Sequence, residues 1–319
     1  MKQRLSFFNQ EDLPEEFNNS VKRKEKVVLI SQGHHSSLVW YPTKKQEIFY
    51  IPYLTQYSNL TYGVRIIQQQ GNLEPQQLDF EITIQGINNQ DGIYCYHIDR
   101  KQVYINNNIP DTTVEELASM CGEVLYPVLI DFFDYTIKNS KQIKERWDTL
   151  KKKIYNSFQG EYVEKYITAT EKVIQNEVIL NRALKQDMFL ALFTHIAETR
   201  AYDKNLTAEV LFNFPIIPFT TPIRYVGEQS VQKQYTPYNT IQVTYKGKIT
   251  DDRGVAELRN KKRFSTQTST EKIMPKGNCN LQYDLDRKTG MLKFCTAEIT
   301  IDLDGDLRSN IITINELQS

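Results

Sequence analysis

Residues 278–303 read NCNLQYDLDRKTGMLKFCTAEITIDL, and this stretch decides the fold class. Leu281, Tyr283 and Leu285 alternate with polar residues, the period of a strand with one buried face. Asp286-Arg287-Lys288-Thr289-Gly290 supplies turn residues, and the chain returns through Leu292 and Phe294. Ala297, Ile299, Ile301 and Leu303 then alternate in the opposite phase. A slip of one residue turns every later side chain over, so a β-bulge is expected near Cys295 and Thr296. Asp302-Leu303-Asp304-Gly305-Asp306 follows, and Asp-Gly between alternating runs is a strong hairpin signal. The same residues resemble a calcium loop, but position twelve from Asp302 is Thr313 where an EF-hand needs glutamate. Turn is therefore preferred to cation site.

The surrounding segment, 204–319, repeats the pattern. Ala208 to Phe214, Ile223 to Val226, Thr240 to Tyr245, Lys262 to Thr270 and Ile311 to Ile314 are expected strands. Segment 27–110 also reads as β: Val27 to Ile30, Leu38 to Tyr41, Ile48 to Ile51, Tyr62 to Ile67, Phe80 to Ile84, Ile93 to Ile98 and Val103 to Ile105. Tyr96-His97-Ile98-Asp99-Arg100-Lys101 is echoed by Tyr283-Asp284-Leu285-Asp286-Arg287-Lys288. Shared turn chemistry explains six positions more simply than duplication. Two related sheets with helices inserted between them are the alternative.

Segment 111–203 changes period. Thr113 and Glu116 have capping-box spacing, and Leu117, Met120, Cys121, Val124, Leu125, Val128 and Leu129 form one apolar helix face with Pro127 as a kink. Every charge from 113 to 137 is acidic, whereas Lys138 to Lys153 holds seven basic and two acidic residues, so antiparallel packing would juxtapose opposite signs. Trp147, Leu150 and Ile154 stripe the second helix; Tyr162, Tyr166, Ala169 and Val173 stripe a third, after Gly160. A last helix spans about 184–199. The expected fold is α+β: antiparallel β-rich segments at 27–110 and 204–319, about four helices at 111–203 packed on the sheet or sheets, and a polar lead-in at 1–26.

Composition narrows function by exclusion. With 39 basic and 39 acidic residues in 319, no protein-wide field draws nucleic acid or anionic membrane. No run approaches the roughly 20 apolar residues of a membrane span. The acidic start, with Glu11, Asp12, Glu15 and Glu16, is unlike a signal peptide. A cytoplasmic chain is the expectation, or a periplasmic or envelope one if a leader has been removed. The thirteen glycines include none closer together than Gly86 and Gly92, so dinucleotide, kinase and P-loop phosphate cradles and the serine-hydrolase elbow are all missing. Cys95, Cys121, Cys279 and Cys295 have neither zinc nor disulfide-scaffold spacing and read as buried thiols. No metal or other cofactor is expected.

Candidate chemistry is sparse. His34 and His35 would point to opposite faces of a strand, and either would serve as a general base only with a carboxylate from elsewhere. Nineteen tyrosines give a different lead. Tyrosine couples apolar area to a polar tip at low entropic cost, as partner surfaces require, although it also suits strands. Tyr53, Tyr57 and Tyr62 lie in a stretch with loop character and are the expected binding residues.

The first functional reading is a non-enzymatic bacterial protein-binding protein, such as an immunity protein, chaperone or accessory component of a secretion or conflict system. Its expected partner is another protein. The second is a carrier of a lipid or other apolar ligand. The strand-turn pattern ending in Asp286 to Leu292 resembles that of the half-barrel lipoprotein carriers of bacterial envelopes, over about ten residues. A hydrolase using His34 or His35 is the third.

Overall fold

The computed structural model describes residues 39–43, 46–51, 57–88, 94–198, 200–266 and 272–317. The N-terminal part holds β1 (Val39–Thr43), β2 (Gln46–Tyr50), β3 (Tyr57–Gln70), β4 (Gln76–Asn88), β5 (Tyr94–Arg100) and β6 (Tyr104–Ile105). The middle holds α1 (Thr113–Glu123), β7 (Val128–Asp131), α2 (Ser140–Ser157), α3 (Glu161–Gln175), α4 (Glu177–Leu184) and α5 (Met188–Glu198). Then come β8 (Ala201–Tyr202), β9 (Thr207–Phe214), β10 (Ile223–Val231), β11 (Thr240–Ile249), α6 (Val255–Arg259), β12 (Asn278–Asp286), β13 (Leu292–Leu303) and β14 (Asp306–Leu317).

The fold is α+β. One antiparallel sheet runs in the order β7-β5-β4-β3-β14-β13-β12-β11-β10-β9, with β6 also pairing with β4. Strands β1, β2 and β8 form a separate three-stranded sheet. The two β-rich segments thus share one large sheet, joined where β14 pairs with β3 from Arg308↔Gln70 to Leu317↔Thr61. Both strands of the sequence echo, β5 and β12, lie in it.

Register explains why one face is dry. Ile66, Ile312, Ala297, Leu281 and Tyr245 face one another in turn across five strands, and all are buried. One residue along, the row reads Ile67, Ile311, Glu298, Asn280 and Lys246, which is largely polar. An antiparallel sheet with one packed and one wet face produces this alternation.

The sheet curls around α5. Phe189 of α5 meets Phe80 of β4, and Phe193 meets Tyr96 of β5, at 6.5 and 5.4 Å between ring centroids. His195, at the other end of the same helix, lies 4.3 Å from Phe212 of β9. Strands near opposite ends of the sheet order therefore touch one helix, whose residues are apolar on nearly all sides. Gly227 and Gly247 face each other in β10 and β11, where a Cβ on Gly227 would strike the Lys246 carbonyl. Bare backbone at such a pair permits the close approach that strong curvature demands.

Several expectations need correction. The capping box of α1 is Thr112 with Glu115, one residue early: Thr112 Oγ1 accepts from Glu115 N at 3.3 Å. Thr112-Thr113 precedes Glu115-Glu116, so both boxes satisfy the pattern. Helix α1 stops at Glu123 rather than running through Leu129, the Tyr126–Pro127 peptide is cis, and Val128–Asp131 pairs with β5. Val128 and Ile130 are spaced for a strand, Val128 and Leu129 also for the helix above, and the sheet edge settles the competition. Among the described residues no carboxylate of α1 pairs with a base of α2. Instead Arg146 of α2 donates to the carbonyls of Val124, Leu125 and Pro127.

Between residues 113 and 198 lie five helices, in keeping with the expected layer of about four. The bulge lies at Lys293, between the pairs Asp284↔Phe294 and Leu285↔Leu292, two residues before its expected place. Residues 262–266 form no strand, because their backbone serves side chains: Lys262 O accepts from Arg253, and Thr266 N donates to Glu257. The rest of that expected strand, and Val27 to Ile30, lie outside the described residues. Asp304 and Gly305 make the expected hairpin turn, with φ of 56° and 88°.

Candidate functional site

Beyond the N-terminus of α5, sheet and helices part and leave a cavity of about 400 Å³. Inward positions of β3, β4 and β14 form its floor, with Ile66, Leu78, Phe80 and Asn310 among them. Ala118 of α1 and Met188 of α5 wall one side. The connection after β9, with Ile216 and Ile217, and Leu258 of α6 wall the other. This size falls at the lower end of the range for small-ligand pockets.

Strand alternation also carries a charge inward. Tyr96, Ile98 and Arg100 share one face of β5, and the Arg100 side chain is only 7% exposed. Its guanidinium lies 4.5 Å from the Tyr126 ring centroid and 5.7 Å from that of Phe80, within cation–π range of both. The nearest carboxylate is Asp187, 3.9 Å from Nη1, too far for a hydrogen bond.

Asp187 is engaged elsewhere. It caps α5, with Oδ1 accepting from Leu190 N at 2.9 Å, and Oδ2 accepts from the Tyr126 hydroxyl at 3.2 Å. Burial, and then the Asp187 charge, hold the Tyr126 phenol above its ordinary pKa, so it remains a donor. Gln68 and Asn310 reach only the Met188 sulfur, at 3.5 and 3.6 Å, a weak acceptor. Gln186 donates to Thr220 O at 2.9 Å, and its buried Oε1 has no partner. An apolar pocket with a few convergent polar groups suits binding.

Of the expected binding tyrosines, Tyr62 does not line this cavity. Tyr62 is fully buried, and its hydroxyl donates to Leu292 O at 3.1 Å, joining β3 to β13 through the core. Tyr57 begins β3, but its side chain, like Tyr53, His34 and His35, lies outside the described residues. His195 is buried, and burial lowers its pKa to about 3. The four cysteines are buried free thiols, as read. Asp302 accepts from Gly305 N at 2.7 Å, as a turn residue does. Among the described residues no three His, Cys, Asp or Glu side chains gather to hold a metal ion. No described helix is long and apolar enough to cross a membrane.

Sequence reasoning missed Arg100, read there as a turn residue. The signal was available: an arginine two residues beyond Ile98, in the phase of the core.

No known protein family and no curated protein matches the chain. Among solved structures, one of lipid–protein interactions in lipovitellin is similar, with a TM-score of 0.42 and 10% identity. That likeness covers 82% of this chain, and the chain spans about a quarter of the other's length, 25%.

Proposed function

We propose that the protein binds a small apolar or amphipathic molecule in the cavity between sheet and helices. The observation that carries this is the cavity itself, about 400 Å³ behind a wall of Ile66, Leu78, Phe80, Val103, Ile216 and Ile217. Apolar side chains left facing such a cavity lack the contacts that a ligand would supply. The volume suits one short-chain or compact molecule better than a whole membrane lipid.

Native mass spectrometry of freshly purified protein, with solvent extraction, tests this reading. A bound small molecule, or saturable uptake of a polarity-sensitive dye, supports it. An empty protein that takes up neither dye nor medium-chain amphiphiles overturns it. Ala118→Phe, which projects a ring into the cavity, is expected to lower dye uptake at least fivefold.

The protein-binding reading rests on exposed aromatic side chains. Tyr238 and Phe264, 87% and 76% exposed, are stronger candidates for such contact than the buried Tyr62. Pull-down with Tyr238→Ala and Phe264→Ala would test it directly, and an unchanged partner profile would count against it.

A further inference from the structure

We propose that Arg100 receives the carboxylate head of an amphipathic monoanion whose apolar tail fills the cavity. This rests on the reading of the cavity as an apolar-ligand site and adds the chemical class of its occupant. Arg100 lines the cavity, and its side chain is only 7% exposed, against 14% for Asp187 beside it. Arginine cannot shed its proton there, so burial leaves a permanent cation to be compensated. Among the described residues its guanidinium donates no hydrogen bond.

The Tyr126 and Phe80 rings both lie within cation–π range of it. With no acceptor taken among the described residues, its fork of donors is left to match the two oxygens of a planar acid. The negative charge of Asp187 does not fill this need, since its oxygens serve Leu190 N and Tyr126, and the α5 N-terminus already offsets it. The amides of Gln68 and Asn310, held only by a thioether, add further donors on the same wall. A donor-rich floor beneath apolar walls describes an acid with a hydrocarbon tail. Asp187, 3.9 Å from Nη1, also limits the charge that can enter, favouring one negative charge over two.

The test compares decanoate, decanol and decyl phosphate binding to the full chain at pH 8 by calorimetry or dye displacement. Decanoate is expected to bind at least tenfold more tightly than decanol. Decyl phosphate, largely dianionic at that pH, is expected to bind more weakly than decanoate. Arg100→Met should weaken decanoate at least tenfold and leave decanol within threefold, while Arg100→Lys retains an intermediate preference. Equal binding of decanoate and decanol to the unmodified protein overturns the assignment without touching the cavity reading, and needs no variant to fold. Tighter binding of decyl phosphate than decanoate overturns the carboxylate choice. No binding of any of the three overturns both readings together.

Discussion

Among the described residues, Arg253 and Arg100 both have side chains largely withdrawn from solvent, and their surroundings differ completely. Arg253, in the connection before α6, is 2% exposed and saturated with acceptors. Its Nε and Nη2 grip Asp251 at 2.7 and 2.5 Å, and Nη1 and Nη2 reach Thr220 Oγ1 and Thr221 O, both at 3.0 Å. Burial alone would raise the Asp251 carboxyl, but hydrogen bonds and charge from Arg253 bring it below the ordinary value. Arg100 has two aromatic rings within cation–π range, a carboxylate at ion-pair but not hydrogen-bond distance, and a cavity beside it. A buried cation with all its donors used is architecture. One with its donors unused, facing a cavity, is a site.

The comparison is most exposed to failure at Arg253. Arg253→Met leaves Asp251 charged, buried and unpaired, so stability in denaturant titration should fall by about 3–5 kcal/mol. Adding Asp251→Asn should recover part of that loss. A loss below about 1 kcal/mol would mean that the network is ornamental and the contrast empty.

Curvature brings strands near both ends of the sheet order against α5, and Gly227→Ala tests it. The added methyl meets backbone at Lys246 and Gly247 rather than a yielding side chain. Destabilisation of about 1–3 kcal/mol is expected by chemical denaturation, because overpacking here must shift strands. A neutral substitution would show that the strands have room to relax.

His195 shows what burial without a partner costs a group that can discharge. Its Nε2 has no hydrogen-bond partner, and it stays neutral in the fold. In the unfolded chain histidine takes up its proton near pH 6.5, whereas His195 resists until about pH 3, so acidification through that window favours unfolding. Stability should fall by about 2 kcal/mol between pH 6.5 and 5, at 1.36 kcal/mol per pH unit. His195→Phe should flatten this slope. An unchanged slope would place the acid sensitivity elsewhere.

The smallest effect is expected at Arg100. Removing a cation that donates no hydrogen bond should change the stability of the empty protein by no more than about 1 kcal/mol, in either direction. A loss as large as that of Arg253→Met would make Arg100 a second structural arginine and close the comparison.

Most strands were legible because alternation survives whatever a strand pairs with. Leu281, Tyr283 and Leu285 face inward as their spacing requires, and Asp304-Gly305 turns the chain where its residue types favour positive φ. The helical stripe Trp147 and Ile154 is buried as spaced. The errors fall where local patterns tie. Thr112 and Thr113 are equivalent as caps, and 128–131 suits helix or strand until β5 offers an edge. Residues 262–266 look like a strand, but Arg253 and Glu257 claim their backbone groups. Residue type alone does not distinguish a core ring such as Tyr62 from a surface one such as Tyr238.

The sequence by itself determined the period of each segment, the turns between them, and the division into β, α and β, because these depend on neighbours within a few residues. Only the tertiary structure decided that β3 and β14 join the two β-rich segments into one curled sheet, a pairing across more than 230 residues of chain. The cavity likewise exists only where distant pieces fail to meet, between β4, α1, α5 and the connection after β9. No local pattern encodes the space left between elements, so the site became visible only when the elements were assembled.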